Sequence, residues 1–230
     1  SLLKLETRFI IQRADGIRAY SYRWNDAGTD AELLDTASTR DFKLPGGNED
    51  RTWHFPSRSQ CLECHNAAAG RFLGFRTVQL DAPGVVAKGR QLDHFVSTGL
   101  AAWAPDTSTP PFPNPADPTA PLHQRARATI DVNCATCHQP GASPITEHDL
   151  RYDTALADTG VCDVAPENGS FEVAGEKLLA PGQPDASNLL LRMKDLGVLR
   201  MPSIGSHVVD DAAVSLITEW ITSLESCAGP

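Results

Sequence analysis

The sequence predicts a mainly α protein with a small β-hairpin or sheet element at its N terminus. Three observations carry that prediction. In "DDAAVSLITEWITSL", Val214, Ile217, Ile221 and Leu224 recur at helical spacing, with Trp220 beside the stripe. "LHQRARATIDVNCATCH" reads as a helix that runs into a C-x-x-C-H segment. Near the N terminus, two short strand-like runs flank the turn signal Asp15-Gly16.

The elements follow in order. "TRFIIQ" and "IRAYSYRW" form the predicted hairpin around "RADG". Tyr20, Tyr22 and Trp24 alternate with Ala19, Ser21 and Arg23, which makes one face of the second strand aromatic. That face reads as packing in preference to an electron relay. From Asn25 to Asp50 the chain is polar and loop-like, with Pro45-Gly46-Gly47 as a breaker. Residues 1–52 are thus a β-rich segment. Residues 53–104 form a first block, which contains "QCLECHN" and the helix-like "KGRQLDHFVSTGL" with Leu92, Phe95 and Val96 on one face and a stop at Gly99. Residues 105–121 hold seven of the 17 prolines and read as a stiff, extended linker. Residues 122–230 form a second block with three helices. Its middle helix, "DASNLLLRMKDLG", is capped by Asp185 or Ser187 and stopped at Gly197. The two blocks share a motif and little else, so no close internal repeat is predicted.

Composition narrows the function. With 230 residues, 41% of them hydrophobic, the chain can build one large core or two small ones. A net charge of −9 argues against nucleic acid and anionic membrane partners and suits basic or neutral ones. No apolar run approaches the length of a membrane span. No signal peptide is visible and Ser1 opens directly into "SLLKLETRFII", which suggests a mature form or a piece of a longer chain.

Six cysteines divide into two pairs of motif cysteines and a remainder of two. Cys162 and Cys227 are that remainder, and an even remainder suggests one disulfide and an oxidising compartment. The alternative is two free thiols. The motif pairs are Cys61 and Cys64, followed by His65, and Cys134 and Cys137, followed by His138. Three chemistries compete for them. A zinc ribbon places its C-x-x-C pairs about 15–20 residues apart, whereas 69 residues separate Cys64 from Cys134 here and each pair has its own histidine. A thioredoxin-like redox pair needs a βαβ context that is absent. Covalent heme fits the spacing. Cysteines three apart lie on nearly one helical face, so their sulfurs can bond the two vinyl groups of one porphyrin, and the adjacent histidine reaches the iron from below. The expected cofactors are therefore two covalently bound heme c groups, with His65 and His138 as the proximal iron ligands. Such attachment takes place outside the cytoplasm, which agrees with the spare cysteine pair.

Each iron has a sixth position. For the second heme, "LRMPSIG" presents Met201, 63 residues after His138 and followed by the helix breaker Pro202. A Met/His pair raises the reduction potential relative to two histidines. The plain alternative is a core methionine filling a gap.

The segment "RATIDVNCATCHQPG…NLLLRMKDLGVLRMPSIGSHVVDDAAVSLITEWI" resembles a class I cytochrome c module. More widely, "ETRFII", "YSYRWNDAGTDAELL", "WHFPSRSQCLECH" and "LGFRTVQLD" resemble the two-heme cytochromes attached to, or encoded beside, bacterial β-propeller quinoprotein dehydrogenases. The resemblance implies two cytochrome c-like heme modules, a closing helix packed across the first helix of the second block, and a periplasmic or secreted location. It also implies a dehydrogenase as electron donor, with a small redox protein or a copper oxygenase as acceptor.

The distal ligand of the first heme stays open. His94 leads, inside "QLDHFVSTG"; His54, Met193, His207, another group or an open position are the alternatives. Arg200 reads equally as a propionate partner or a solvated charge. Trp220 and Ile217 line the heme or the core. Phe72, Leu73, Phe75 and Leu80 line the first pocket or ordinary core, and His123 and His148 read as surface residues. Electron transfer is the leading function, and the protein reads as a carrier in preference to an enzyme. A diheme peroxidase with an open first iron is the alternative, and gas or redox sensing a third.

Overall fold

Residues 3–43, 50–74, 76–81, 89–102, 110–142, 147–205 and 207–229 are described by a computed structural model of the chain. Five strands come first. β1 (Glu6–Arg13) and β2 (Gly16–Trp24) pair antiparallel, with Arg13 opposite Gly16, so the two-residue turn falls on Ala14-Asp15. Gly16 closes that turn at φ 127°, a conformation that excludes ordinary side chains. β3 (Ala31–Leu34) adds to the other edge of β2, giving the order β1-β2-β3. β4 (Ser38–Lys43) and β5 (Asp50–Phe55) form a second antiparallel pair. The 52/53 boundary read from the sequence lies inside β5.

The face of β2 that is buried is the small one, Ile17, Ala19 and Ser21, while the aromatic face is only half-buried. Its rings are held at their edges: Phe9 meets Tyr22 at 5.7 Å, and Lys4 and Arg58 sit over Trp24 and Tyr20. Small side chains on the buried face let α1 (Arg58–Cys64) pack against β2. A buried carboxylate ties the sheets together. Glu6 accepts from Arg8, from Ser21 Oγ and from Trp53 Nε1 on β5. Burial alone would raise its pKa, but these donors outweigh it and hold the group ionised below the usual range.

α2 (Thr77–Leu80) and α3 (Gln91–Ser97) pack on each other. The C-terminal half holds α4 (Leu122–Ile130), a π-helical turn at Asp131–Ala135, α5 (Asn188–Lys194) and α6 (Asp211–Ser223). Asp210 caps α6 by accepting from Ala213 N. α6 packs on α4 and α5, and its stripe enters a core with Ala126, Ile130, Leu156, Leu179 and Leu190. Trp220 Nε1 donates to His123 Nδ1 at 3.1 Å, so His123 is a neutral acceptor on α4 and not a plain surface residue. A disulfide joins Cys162 to Cys227, their Cα atoms 5.7 Å apart, and ties the end of α6 to the bridge between Cys162 and Leu179.

The expectation of a mainly α chain with two cytochrome c-like modules is overturned. Among the described residues 29% are helical and 18% are in strands, with six α-helices and two small antiparallel sheets: a mixture of α and β. The missed content is β3 and β4, inside the stretch read as polar loop. "AELL" is too short, with Leu33 and Leu34 adjacent, and "STRDFK" has one large apolar residue, so neither shows the hydrophobic alternation that marks a half-buried strand. The Pro45-Gly46-Gly47 breaker lies outside the described residues. Of the Pro-rich stretch, residues 110–121 are described, and they do not stand free. Phe112 N donates to Val78 O at 2.7 Å, and the Phe112 ring lies 4.6 Å from that of Tyr152.

Candidate functional site

The first motif is built on α1. Ser57 and Gln60 form a reciprocal capping box that starts the helix three residues before Cys61 and fixes the turn that carries both cysteines. Cys61 is buried against the sheet and its thiol is pushed up, chiefly by burial. His65 follows at the C-terminal end of α1. Its Nδ1–H donates to the Arg71 carbonyl at 2.6 Å. That bond orients the ring and fixes the tautomer, leaving Nε2 as a lone-pair donor, the arrangement by which proteins hold metal-ligating imidazoles.

The second motif continues α4. The π-turn at Asp131–Ala135 widens the helix at the attachment segment, a distortion common at functional positions. Cys134 is pushed up to about 12 by burial and by the neighbouring Asp131 carboxylate. Cys137 of the same motif is brought the other way, down to about 7, chiefly by its hydrogen bond with Cys64. Zinc needs four donors at one point. Among the described residues no group of three or more His, Cys, Asp and Glu side chains could hold a metal ion.

His138 is mostly buried beside His148, the rings 6.2 Å apart and nearly parallel at 20°. Burial lowers its pKa, with the charges of His148 and Arg192 adding to the effect, so the ring is held neutral. A neutral imidazole is the form that ligates metal. His148, read from the sequence as a surface residue, is therefore a neighbour of the second site.

Arg192 links that histidine to the Met201 loop. Met201 N donates to the Arg192 carbonyl at 3.0 Å, and Arg192 Nη1 donates to Leu199 O. The loop has an inverted pattern of burial. Leu196, Val198 and Met201 are 58%, 100% and 36% exposed, whereas Arg200 is 7% exposed. A methionine filling a core gap would be covered. Arg200 Nε donates to Pro202 O, but among the described residues the buried Arg200 Nη1 has no hydrogen-bond partner. An orphaned buried guanidinium nitrogen is costly, and an anionic oxygen is what satisfies it. An apolar macrocycle with carboxylate substituents matches both features: apolar side chains without cover and a buried cation without a partner. The donor set fits heme c.

The proposed ligands of the first iron fare differently. His94 sits on α3, its ring beside Phe95, and among the described residues no hydrogen bond or ring contact links it to His65. His54 meets His207 edge-on at 5.8 Å across a groove of about 340 Å³ that Phe42, Trp53 and Val208 also line. Met193 packs against the C-terminal core. Phe72 and Leu73 are exposed and Leu80 is half-buried, whereas Phe75 lies outside the described residues. No protein family, curated protein or solved structure matches the chain. The cytochrome resemblance therefore rests on the motifs alone, and the site is argued from its residues.

The two motifs meet. Cys64 Sγ and Cys137 Sγ are 3.8 Å apart, and Cys137 Sγ lies 4.0 Å from Glu63 O. Nothing in the sequence announces this contact between residues 73 positions apart.

Among the described residues, no helix is long and apolar enough to cross a membrane.

Proposed function

We propose that this protein is a diheme c-type electron carrier. The observation that carries the reading is the pair of C-x-x-C-H turns, each with a positioned histidine: His65 oriented by the Arg71 carbonyl, His138 held neutral by burial. Heme, when bound, supplies a one-electron iron couple. Everything else falls to the chain. Cys61 and Cys64 would hold one heme, and Cys134 and Cys137 a second. His65 and His138 would offer Nε2 to the irons. Met201, on an exposed loop anchored to Arg192, would supply a further ligand at the second site. Arg200 would pair there with a propionate, and Leu196 and Val198 would exclude water.

The partners follow from charge and compartment. A net charge of −9 steers basic partners by attraction that falls with salt. The disulfide and the attachment chemistry belong to an oxidising space, the periplasm or the exterior. We propose a dehydrogenase, of the quinoprotein kind suggested by the motif likeness, as donor. A small redox protein or a copper oxygenase takes the electron.

One observation favours a second reading, a diheme peroxidase: three of the side chains nominated for the distal position at His65 are engaged elsewhere, His54 with His207 and Met193 on the C-terminal core. That chemistry also needs an acid–base group at an open iron. The optical spectrum of the dithionite-reduced protein, taken before and after carbon monoxide, separates the two. A carrier with both irons six-coordinate is unchanged. A shift in part of the heme absorbance, together with steady turnover of peroxide, makes the first site an enzyme and overturns the carrier reading.

A further inference from the structure

The contact between the motifs has a functional reading that rests on the proposal above. We infer that Cys64 and Cys137 form the internal electron junction of the protein, and that the Arg76–Asp131 ion pair is the clamp that sets it. A separation of 3.8 Å between Cys64 Sγ and Cys137 Sγ is a nonbonded contact of two sulfur atoms. A thioether sulfur has two bonds, one to its own Cβ and one to a porphyrin carbon, so both cysteines can be alkylated and still touch. With heme attached at both motifs, these two sulfurs would be the nearest covalently linked atoms of the two sites. Sulfur is soft and polarizable, and electron tunnelling falls steeply with distance, so the contact would be the short route for one electron between a reduced and an oxidised centre. No bond forms or breaks, and no proton or further reactant is required.

The clamp lies six residues before Cys137. Asp131 opens the π-turn that carries Cys134, and its side chain is fully buried. It accepts from Arg76, which stands immediately before α2 in the first block, and from Tyr152 N at 2.8 Å. The Arg76 guanidinium also stacks over Phe112, whose backbone binds Val78. A buried carboxylate is costly to leave unpaired, so the pair holds the two blocks in one register and, with it, the two sulfurs in contact. The other contact across the motifs, Cys137 Sγ to Glu63 O, agrees with this register.

The test uses the full holoprotein. Pyridine hemochromogen analysis first counts hemes per chain. Soret circular dichroism and electron paramagnetic resonance of the oxidised protein then measure coupling. The expected result is two hemes per chain, with a two-lobed Soret signal and resonances broadened by the neighbouring spin, sharpening on half-reduction. Arg76→Ala keeps both hemes and weakens the coupling at least twofold, while Arg76→Lys falls between. Two hemes whose spectra are the sum of two independent centres overturn the junction while leaving the carrier reading intact. Wild-type coupling in Arg76→Ala overturns the clamp. Fewer than two hemes per chain overturns the cofactor reading itself, and the junction with it. The wild-type measurement decides the junction whether or not the variants fold.

Discussion

Replacing Cys162 and Cys227 together by serine tests how the loop carrying Met201 is secured. The bond closes a segment of 65 residues that contains α5, the Met201 loop and α6. In the chain-entropy account, opening a loop of that length returns about 4 kcal/mol of freedom to the unfolded state. For a chain of this size each kcal/mol moves the midpoint by about 2–4 °C, so the double variant should melt roughly 8–16 °C lower. Thermal unfolding followed by far-ultraviolet circular dichroism reads this directly, and the wild type in reductant should move towards the variant. A change of less than ~2 °C would refute the reasoning, because the bond would then constrain a loop already closed in the unfolded chain.

Three further outcomes follow. Trp220→Ala removes a ring that is 1% exposed between α6 and α4, and should cost about 3–5 kcal/mol in urea unfolding; Trp220→Phe, which loses mainly the donor to His123, should cost about 1 kcal/mol. Glu176 lies in a partly buried site that would raise its pKa, yet hydrogen bonds from Asn188, Ser170 and the backbone of Phe171 and Val173 bring it to about 2 from the usual 4.5. A depressed carboxyl stabilises the fold above pH 4.5 and loses that contribution as pH falls towards 2; with solvent screening the loss is about 1–2 kcal/mol, and Glu176→Gln should flatten the acid limb of a stability–pH profile across that window. Met201→Ala should leave heme content unchanged but open the sixth position at the second site, so that carbon monoxide shifts about half of the reduced heme absorbance; an unchanged spectrum would place the distal ligand elsewhere.

Local signals were readable in the sequence, and contacts across long separations were not. The Asp15-Gly16 signal placed the hairpin, and the apolar stripe placed α6, because each depends on neighbours in the chain. The even cysteine remainder pointed to the bond that joins Cys162 to Cys227. β3 and β4 escaped because neither alternates apolar with polar residues; their ladder bonds are made by the backbone, which composition does not report. His123 and His148 looked like surface residues because their partners, Trp220 and His138, are 97 and 10 positions away. Arg200 illustrates the same limit from the other side. Its residue type predicts exposure, and only the packing of the loop buries one nitrogen without a partner. The meeting of Cys64 with Cys137 joins residues 73 positions apart, and no periodicity encodes it.

The central claim is that the four motif cysteines are thioethers. The most direct measurement is the intact mass of the denatured protein, taken after export and maturation in a host that attaches heme, together with a count of alkylatable thiols. The account predicts a mass above that of the polypeptide by two heme groups and no free thiol, with Cys162 and Cys227 paired and Cys61, Cys64, Cys134 and Cys137 alkylated by porphyrin. A mass equal to the bare polypeptide, with those four cysteines open to alkylation, would contradict it.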